Sequence, residues 1–274
     1  MSIENLFPIA GNNAIQNAAF AIEWQVELSS SELQSIHSAI ESELKQDFPN
    51  QLPQHHQKIS FVMDTNSPNK ISPSVELGGF LYEKRSQYST NPTRSISLSK
   101  QSLIVLINEY SRWDNVWADV NKYFSIILKQ LKNAAIANIG LQYSDVFVWK
   151  DDPKQLRLQE VFKPNSKFLT PNVLLLNGLW HSHHGYIVES DKPIPNSRLD
   201  NVNVNLINDA GVLSIQITTS HRATLKNVIW STNDQIMSLI DQVINSLHTE
   251  NKLIMTELLS DELCKKIKLE VNNA

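Results

Sequence analysis

The densest run of chemistry-bearing side chains in this sequence is Trp180-His181-Ser182-His183-His184-Gly185-Tyr186. In an extended strand, alternate side chains share a face. His181 and His183 would therefore point the same way, and neutral imidazole nitrogens are common ligands of divalent metals. A third ligand would have to come from elsewhere, with Glu189, Asp191 and His221 as the candidates. No recognised zinc spacing is completed, and the competing reading is a polar strand face rich in imidazole. A divalent ion at His181 and His183 is the one cofactor the sequence suggests. His55 and His56 are adjacent, so their side chains diverge in an extended chain and do not suggest a shared ion.

A second candidate is the basic group Lys84, Arg85 and Arg94, set in a stretch (residues 83–94) that reads as a loop. It could contact an anion or a nucleic-acid phosphate, or it could be an ordinary solvated loop. His221-Arg222 at a strand end invites the same pair of readings. Nucleophilic catalysis finds little footing. No serine sits in a Gly-x-Ser-x-Gly elbow, the single Cys264 has no histidine near it in sequence, and Asp151-Asp152 reads as a turn. No catalytic residue is assigned, and the reading leans away from an enzyme.

These residues belong to a chain of 274 amino acids, 41% hydrophobic and 19% charged, which is globular rather than disordered material. A net charge of −4 argues against a broad non-specific nucleic-acid footprint, because phosphate neutralisation needs clustered Lys and Arg. One cysteine excludes an intrachain disulfide and any Cys-rich zinc site. Seven glycines form no phosphate-binding loop of either common spacing. The first residues lack a basic region followed by an apolar run, and the longest apolar runs are too short to span a bilayer. A cytoplasmic location without membrane attachment is expected.

The elements that must position these groups are set by periodicity. Residues 20–28 alternate, with Phe20, Ile22, Trp24, Val26 and Leu28 on one side, as a half-buried strand does. Ser29 and Glu32 have capping-box spacing ahead of a helix whose buried stripe is Leu33, Ile36, Ile40 and Leu44. A polar connector is expected at residues 50–57, short strands at 59–63 and 78–82, and a hairpin over 95–108. A long amphipathic helix follows, with Trp113, Val116, Trp117, Val120, Phe124, Ile127, Leu128, Leu131 and Ala135 on its apolar stripe and Ser111 placed to cap it. Residues 174–189 read as extended, with an interruption at Asn177-Gly178. Two further strands flank the turn Asn208-Asp209-Ala210-Gly211, and helical patterns run through Leu258 and, after a cap at Ser260, through Ile267.

Each half of the chain thus ends its strands with a helix that can lie on one sheet face. The expected fold class is α+β, as two sub-domains (1–150 and 151–274), each a mainly antiparallel sheet with a long amphipathic helix on one face. The boundary falls at the pattern break around Lys150-Asp151-Asp152-Pro153.

The order of landmarks resembles a family of uncharacterised, sporadically distributed bacterial and archaeal proteins of about this length. The landmarks are Phe48-Pro49 ending the first helix, Tyr110 before Trp113-Asp114, Gly140-Leu141-Gln142-Tyr143 opening a strand, and Leu247-His248 in a late helix. That family usually carries an Arg-Tyr-x-Asn-like sequence where this chain has Gln142-Tyr143-Ser144-Asp145, so a role for that arginine does not carry over. The resemblance implies no catalytic residues. The family's patchy occurrence is like that of accessory genes for phage defence or toxin–antitoxin systems. The expectation is a non-enzymatic accessory or regulatory protein that binds another protein. A metal-dependent enzyme using the His181/His183 strand is the first alternative, and a nucleic-acid binder the second.

Overall fold

The computed structural model describes residues 2–62, 70–87, 89–176 and 178–269, with backbone alone at residues 2, 58–62 and 70–73. Its frame is one antiparallel ten-stranded sheet. The strands are β1 (Leu6–Pro8), β2 (Ile15–Trp24), β3 (Asn50–Val62), β4 (Lys70–Arg85), β5 (Pro92–Ser99), β6 (Ser102–Ile107), β7 (Ala135–Trp149), β8 (Trp180–Ser190), β9 (Asn196–Asp209) and β10 (Val212–Trp230). The helices are α1 (Ser30–Leu44), α2 (Trp113–Leu128), α3 (Leu158–Val161), α4 (Ile236–Leu258) and α5 (Asp261–Lys266). Across the sheet the order is β3-β4-β5-β6-β2-β7-β10-β9-β8, with β1 pairing the end of β7.

The winding occurs twice. β2 lies innermost; the chain crosses through α1 to the far edge, returns strand by strand from β3 to β6 beside β2, and then lays α2 down. β7 lies innermost beside β2, and the chain crosses through residues 150–179 to the opposite edge. It returns from β8 to β10 beside β7, and then lays α4 down. Short turns join β5 to β6 and β9 to β10, and antiparallel pairing permits them. At the β9–β10 turn Ala210 and Gly211 both take positive φ, 48° and 88°, as a tight two-residue hairpin loop requires.

Strand alternation places one set of side chains under the helices. Phe20, Ile22 and Trp24 of β2, Leu103 and Val105 of β6, and Ile139 and Leu141 of β7 are buried beneath α1, α2 and the first part of α4. Phe147 of β7, Val202 and Val204 of β9 and Ile215 and Ile217 of β10 are buried beneath α3, α5 and the last part of α4. Both apolar clusters draw on the same sheet face, and α4 at 23 residues is long enough to serve both. Trp113 and Trp117 stack on Phe20 with ring centroids 6.0 and 5.9 Å apart. Their indole N–H groups donate to Asn245 and Asp241 of α4, at 3.1 and 2.6 Å, and so tie the two long helices together.

Several local expectations are corrected. Residues 50–57 are part of edge strand β3 rather than a connector; the strand is polar because most of its side chains meet solvent, while its backbone pairs with β4. Residues 83–85 and 92–94 extend β4 and β5, where Lys84 sits opposite Arg94, so both ends of the expected loop are strand. Arg112, not Ser111, occupies the cap position of α2, and it makes no side-chain cap bond. That helix stops at Leu128; a tight turn still buries Leu131, and Ala135 opens β7. A 3-10 turn at Pro171–Leu175 interrupts the expected extended run. The Ser29/Glu32 capping box and the Ser260 cap form as expected. Met63, the end of the strand expected at 59–63, residues 64–69, and Asn177, in the expected interruption, lie outside the described residues. No described helix is long and apolar enough to cross a membrane.

Candidate functional site

Between the two apolar clusters the inward sheet face turns polar. Along β7 the inward residues run Leu141, Tyr143, Asp145, Phe147; along β10 they run Ile217, Thr219, His221, Ala223. Asp200 and Arg198 take inward places on β9, and His248, Glu250 and Asn251 descend on them from α4. A seam of polar side chains therefore crosses the core beneath α4.

Its inner part is closed and fully paired. Arg198 Nε donates to both carboxylate oxygens of Asp200 at 2.9 Å, and its other end reaches Glu250 at 3.0 Å. His221 Nδ1 meets Asp200 at 2.8 Å. Thr219 and His221 Nε2 converge on the side-chain oxygen of Asn251, at 2.5 and 3.3 Å. Asp200 and Thr219 are wholly buried and His221 nearly so. An Asp–His pair can orient a base, but here the outer nitrogen of the imidazole faces an amide oxygen and no solvent-facing nucleophile. This network fastens α4 to β9 and β10.

The outer part opens to solvent. A cavity of about 510 Å³ lies over β7, lined among others by Asp145, Tyr143, Arg112, His248 and Lys252. Tyr143 hydrogen-bonds His248 Nδ1 at 2.9 Å, and Tyr110 bonds Tyr143 in turn. The His248 ring lies flat on Trp113, centroids 3.8 Å apart, and burial pushes its pKa down to about 4, so it is a neutral imidazole near pH 7. Asp145 is 5% exposed, and no described residue gives its carboxyl a hydrogen bond or an ion pair. Burial raises its pKa to about 7. Opposite Asp145 the pairing of β2 with β7 shifts register between Ile15 and Asn17, and such a bulge re-aims side chains at the rim of a site.

The histidines prominent in the sequence lie elsewhere. His181 and His183 share the outer sheet face on edge strand β8 and are exposed, and His183 contacts the side-chain oxygen of Asn203 on β9. Glu189 reaches Lys226 instead, and His221 is on the inward face of the sheet. Among the described residues no group of three His, Cys, Asp or Glu side chains converges as a metal site would need. Of the basic candidates, Arg85 pairs with Glu83 at 2.7 Å. Arg94 pairs with Glu109 and Asp119, at 2.6 and 2.5 Å. Lys84 is exposed beside them.

The polar seam was missed in the sequence, although a signal for it exists. Asp145, Asp200, Thr219 and His221 each occupy an inward place in a strand whose other inward places are apolar. A polar residue on the apolar phase of an alternating strand is the mark of a buried, functional or network position. No protein-family model matches the chain, and no curated protein does. The family resemblance therefore rests on its landmarks alone.

Proposed function

We propose that this protein is a non-enzymatic binding subunit that receives a partner protein on the open face of its sheet. One observation carries this reading. All strand residues of both buried clusters face the helices, and on the other face a single transverse row runs Ile187, Leu199, Arg222, Gly140, Ala21, Ile104, Ser97, Leu81, Leu52, one residue from each of nine strands in register. Ile187 is 68% exposed, Leu52 50%, Leu199 38% and Ile104 36%. At about 4.8 Å between strands the row is roughly 40 Å long. Apolar side chains aligned on an open surface, set among Asn, Ser and Thr of the neighbouring rows, are characteristic of protein-binding faces. Arg222 in the row is already paired with Glu23 at 2.5 Å.

A nucleic-acid partner has less support. Arg85 and Arg94 spend their guanidinium groups on carboxylates, and the chain carries a net charge of −4. The division into two α+β units, 1–150 and 151–274, is part of the same reading. A winding that occurs twice supports two units, with β7, which opens the second winding yet precedes residue 151, shared between them. A cytoplasmic accessory or regulatory subunit fits these features.

The test is capture of the tagged protein from its own host under gentle conditions, followed by mass spectrometry. A partner protein in near-stoichiometric amount is expected, and it should be lost from an Ile104→Glu, Ile187→Glu double variant that keeps the wild-type melting temperature. Turnover of a substrate by the purified protein alone, or partner capture unchanged in the double variant, overturns the reading.

A further inference from the structure

The cavity over β7 has two chemically opposite ends. Its floor holds Asp145, nineteen-twentieths buried and without a hydrogen-bonding partner among the described residues. A buried carboxyl with no donor is costly, and a native structure keeps such a group where something outside the chain supplies the donor. The mouth holds Arg112, Lys252 and Lys268, none of which makes a side-chain hydrogen bond or ion pair with a described residue. Arg112 also stands at the start of α2, a helix of 16 residues whose first N–H groups receive no side-chain cap, so the helix end adds positive potential there. Among the described residues Asp114 is the one carboxylate on that rim. Ile15, Met255 and Leu269 add an apolar wall.

We propose that this cavity binds a small zwitterion of the free amino-acid class, with its ammonium on Asp145, its carboxylate toward Arg112 and Lys252, and its side chain against Ile15 and Met255. The volume of about 510 Å³ is in the range of small-molecule sites and admits a large apolar side chain. An ammonium supplies the donors that Asp145 lacks, and its charge makes the ionised carboxyl the favoured form in the complex. The neutral His248 ring, fixed by Tyr143 and Trp113, closes one side of the cavity without competing for the ammonium. This inference is independent of the open sheet face, which is on the other side of the sheet.

The experiment is a thermal-shift and calorimetric screen of the whole protein against the twenty amino acids. Each amino acid is paired with its carboxamide, which lacks the anionic end, and its deaminated acid, which lacks the ammonium. At least one amino acid with an apolar side chain is expected to raise Tm by about 3–5 °C at roughly ten times its Kd. Its deaminated partner should bind at least about thirtyfold more weakly, as should the amino acid to Asp145→Asn. Lys252→Ala, at the more exposed end, should weaken binding about two- to fivefold. Asp145→Asn keeps the side chain's size while removing its charge and turning one acceptor oxygen into an amide donor, so circular dichroism should confirm that it folds. No response of wild-type protein to any member of the panel overturns the assignment. So does equal binding by Asp145→Asn, or equal binding of the deaminated acid.

Discussion

Two aspartates sit on the inward face of the same sheet beneath the same helix, and the chain treats them oppositely. Asp200 on β9 is completely enclosed, with Arg198 on one side and His221 on the other. Asp145 on β7, with only β10 between the two strands, is nearly as buried and has no partner at all among the described residues. A buried charge that is paired and hydrogen-bonded is a structural device; a buried charge left alone is unstable unless it is neutralised or a ligand meets it. The closed half of the polar seam therefore fixes the fold, and the open half is left free to bind.

The largest effect that would break this comparison is on the paired side. Asp200→Ala leaves Arg198 with Glu250 alone and takes from the buried His221 its carboxylate partner, and denaturant melts should show a loss of about 3–5 kcal/mol. If the loss is under about 1 kcal/mol, the network is not holding α4.

The unpaired side should respond to pH in the reverse sense. The folded-state pKa of Asp145, pushed up to about 7 by burial, lies above its ordinary value of 3.8. Between about pH 4 and pH 7 the folded protein then holds a proton that the unfolded chain has released, so the contribution of Asp145 to stability falls as pH rises through that window. The size is on the order of 3–4 kcal/mol. His248 runs the other way: its folded pKa of about 4 is below the ordinary 6.5, so its contribution is lost as pH falls through the same region. Among the described residues the other titratable or charged groups around the cavity are Tyr143, Tyr110, His221, Arg112, Asp114, Lys252 and Lys268, and neither tyrosine titrates there because burial raises both. The two opposed slopes leave the wild-type curve shallow. Asp145→Asn should expose the His248 slope, with stability rising from pH 4 to 6.5, and should be more stable than wild type at pH 8. Parallel curves for variant and wild type would show that Asp145 already has a partner.

A smaller test bears on the seam's middle. Thr219→Val removes one donor to Asn251 while keeping shape, and should cost about 1 kcal/mol. Since Asn251 also lines the cavity, that variant should shift ligand affinity little if the two halves of the seam are separate devices.

Much of the fold could be read from residue order. The Ser29/Glu32 box, the Ser260 cap, the stripe of α1, that of α2 as far as Leu128 and the turn at Ala210-Gly211 formed, because capping, amphipathic periodicity and tight-turn chemistry act over a few residues. The readings that failed lay where local composition and long-range pairing disagree. Asn50 to Gln57 look like a loop because they are polar, and become a strand because β4 supplies their hydrogen bonds. The sequence drew attention to clustered His181 and His183, whereas the structure gathers Tyr143, Asp145, His221, His248 and Asn251, the bonded pair Tyr143 and His248 being 105 positions apart. Sequence alone determined the α+β class, the long helices and most of the alternating strands. Only the tertiary structure decided that one sheet would carry both halves, that α4 would close over a polar seam, and which of two inward aspartates would be paired. Pairing depends on what the crossing strands and the helix bring opposite each carboxyl, and no local pattern in β7 or β9 encodes that.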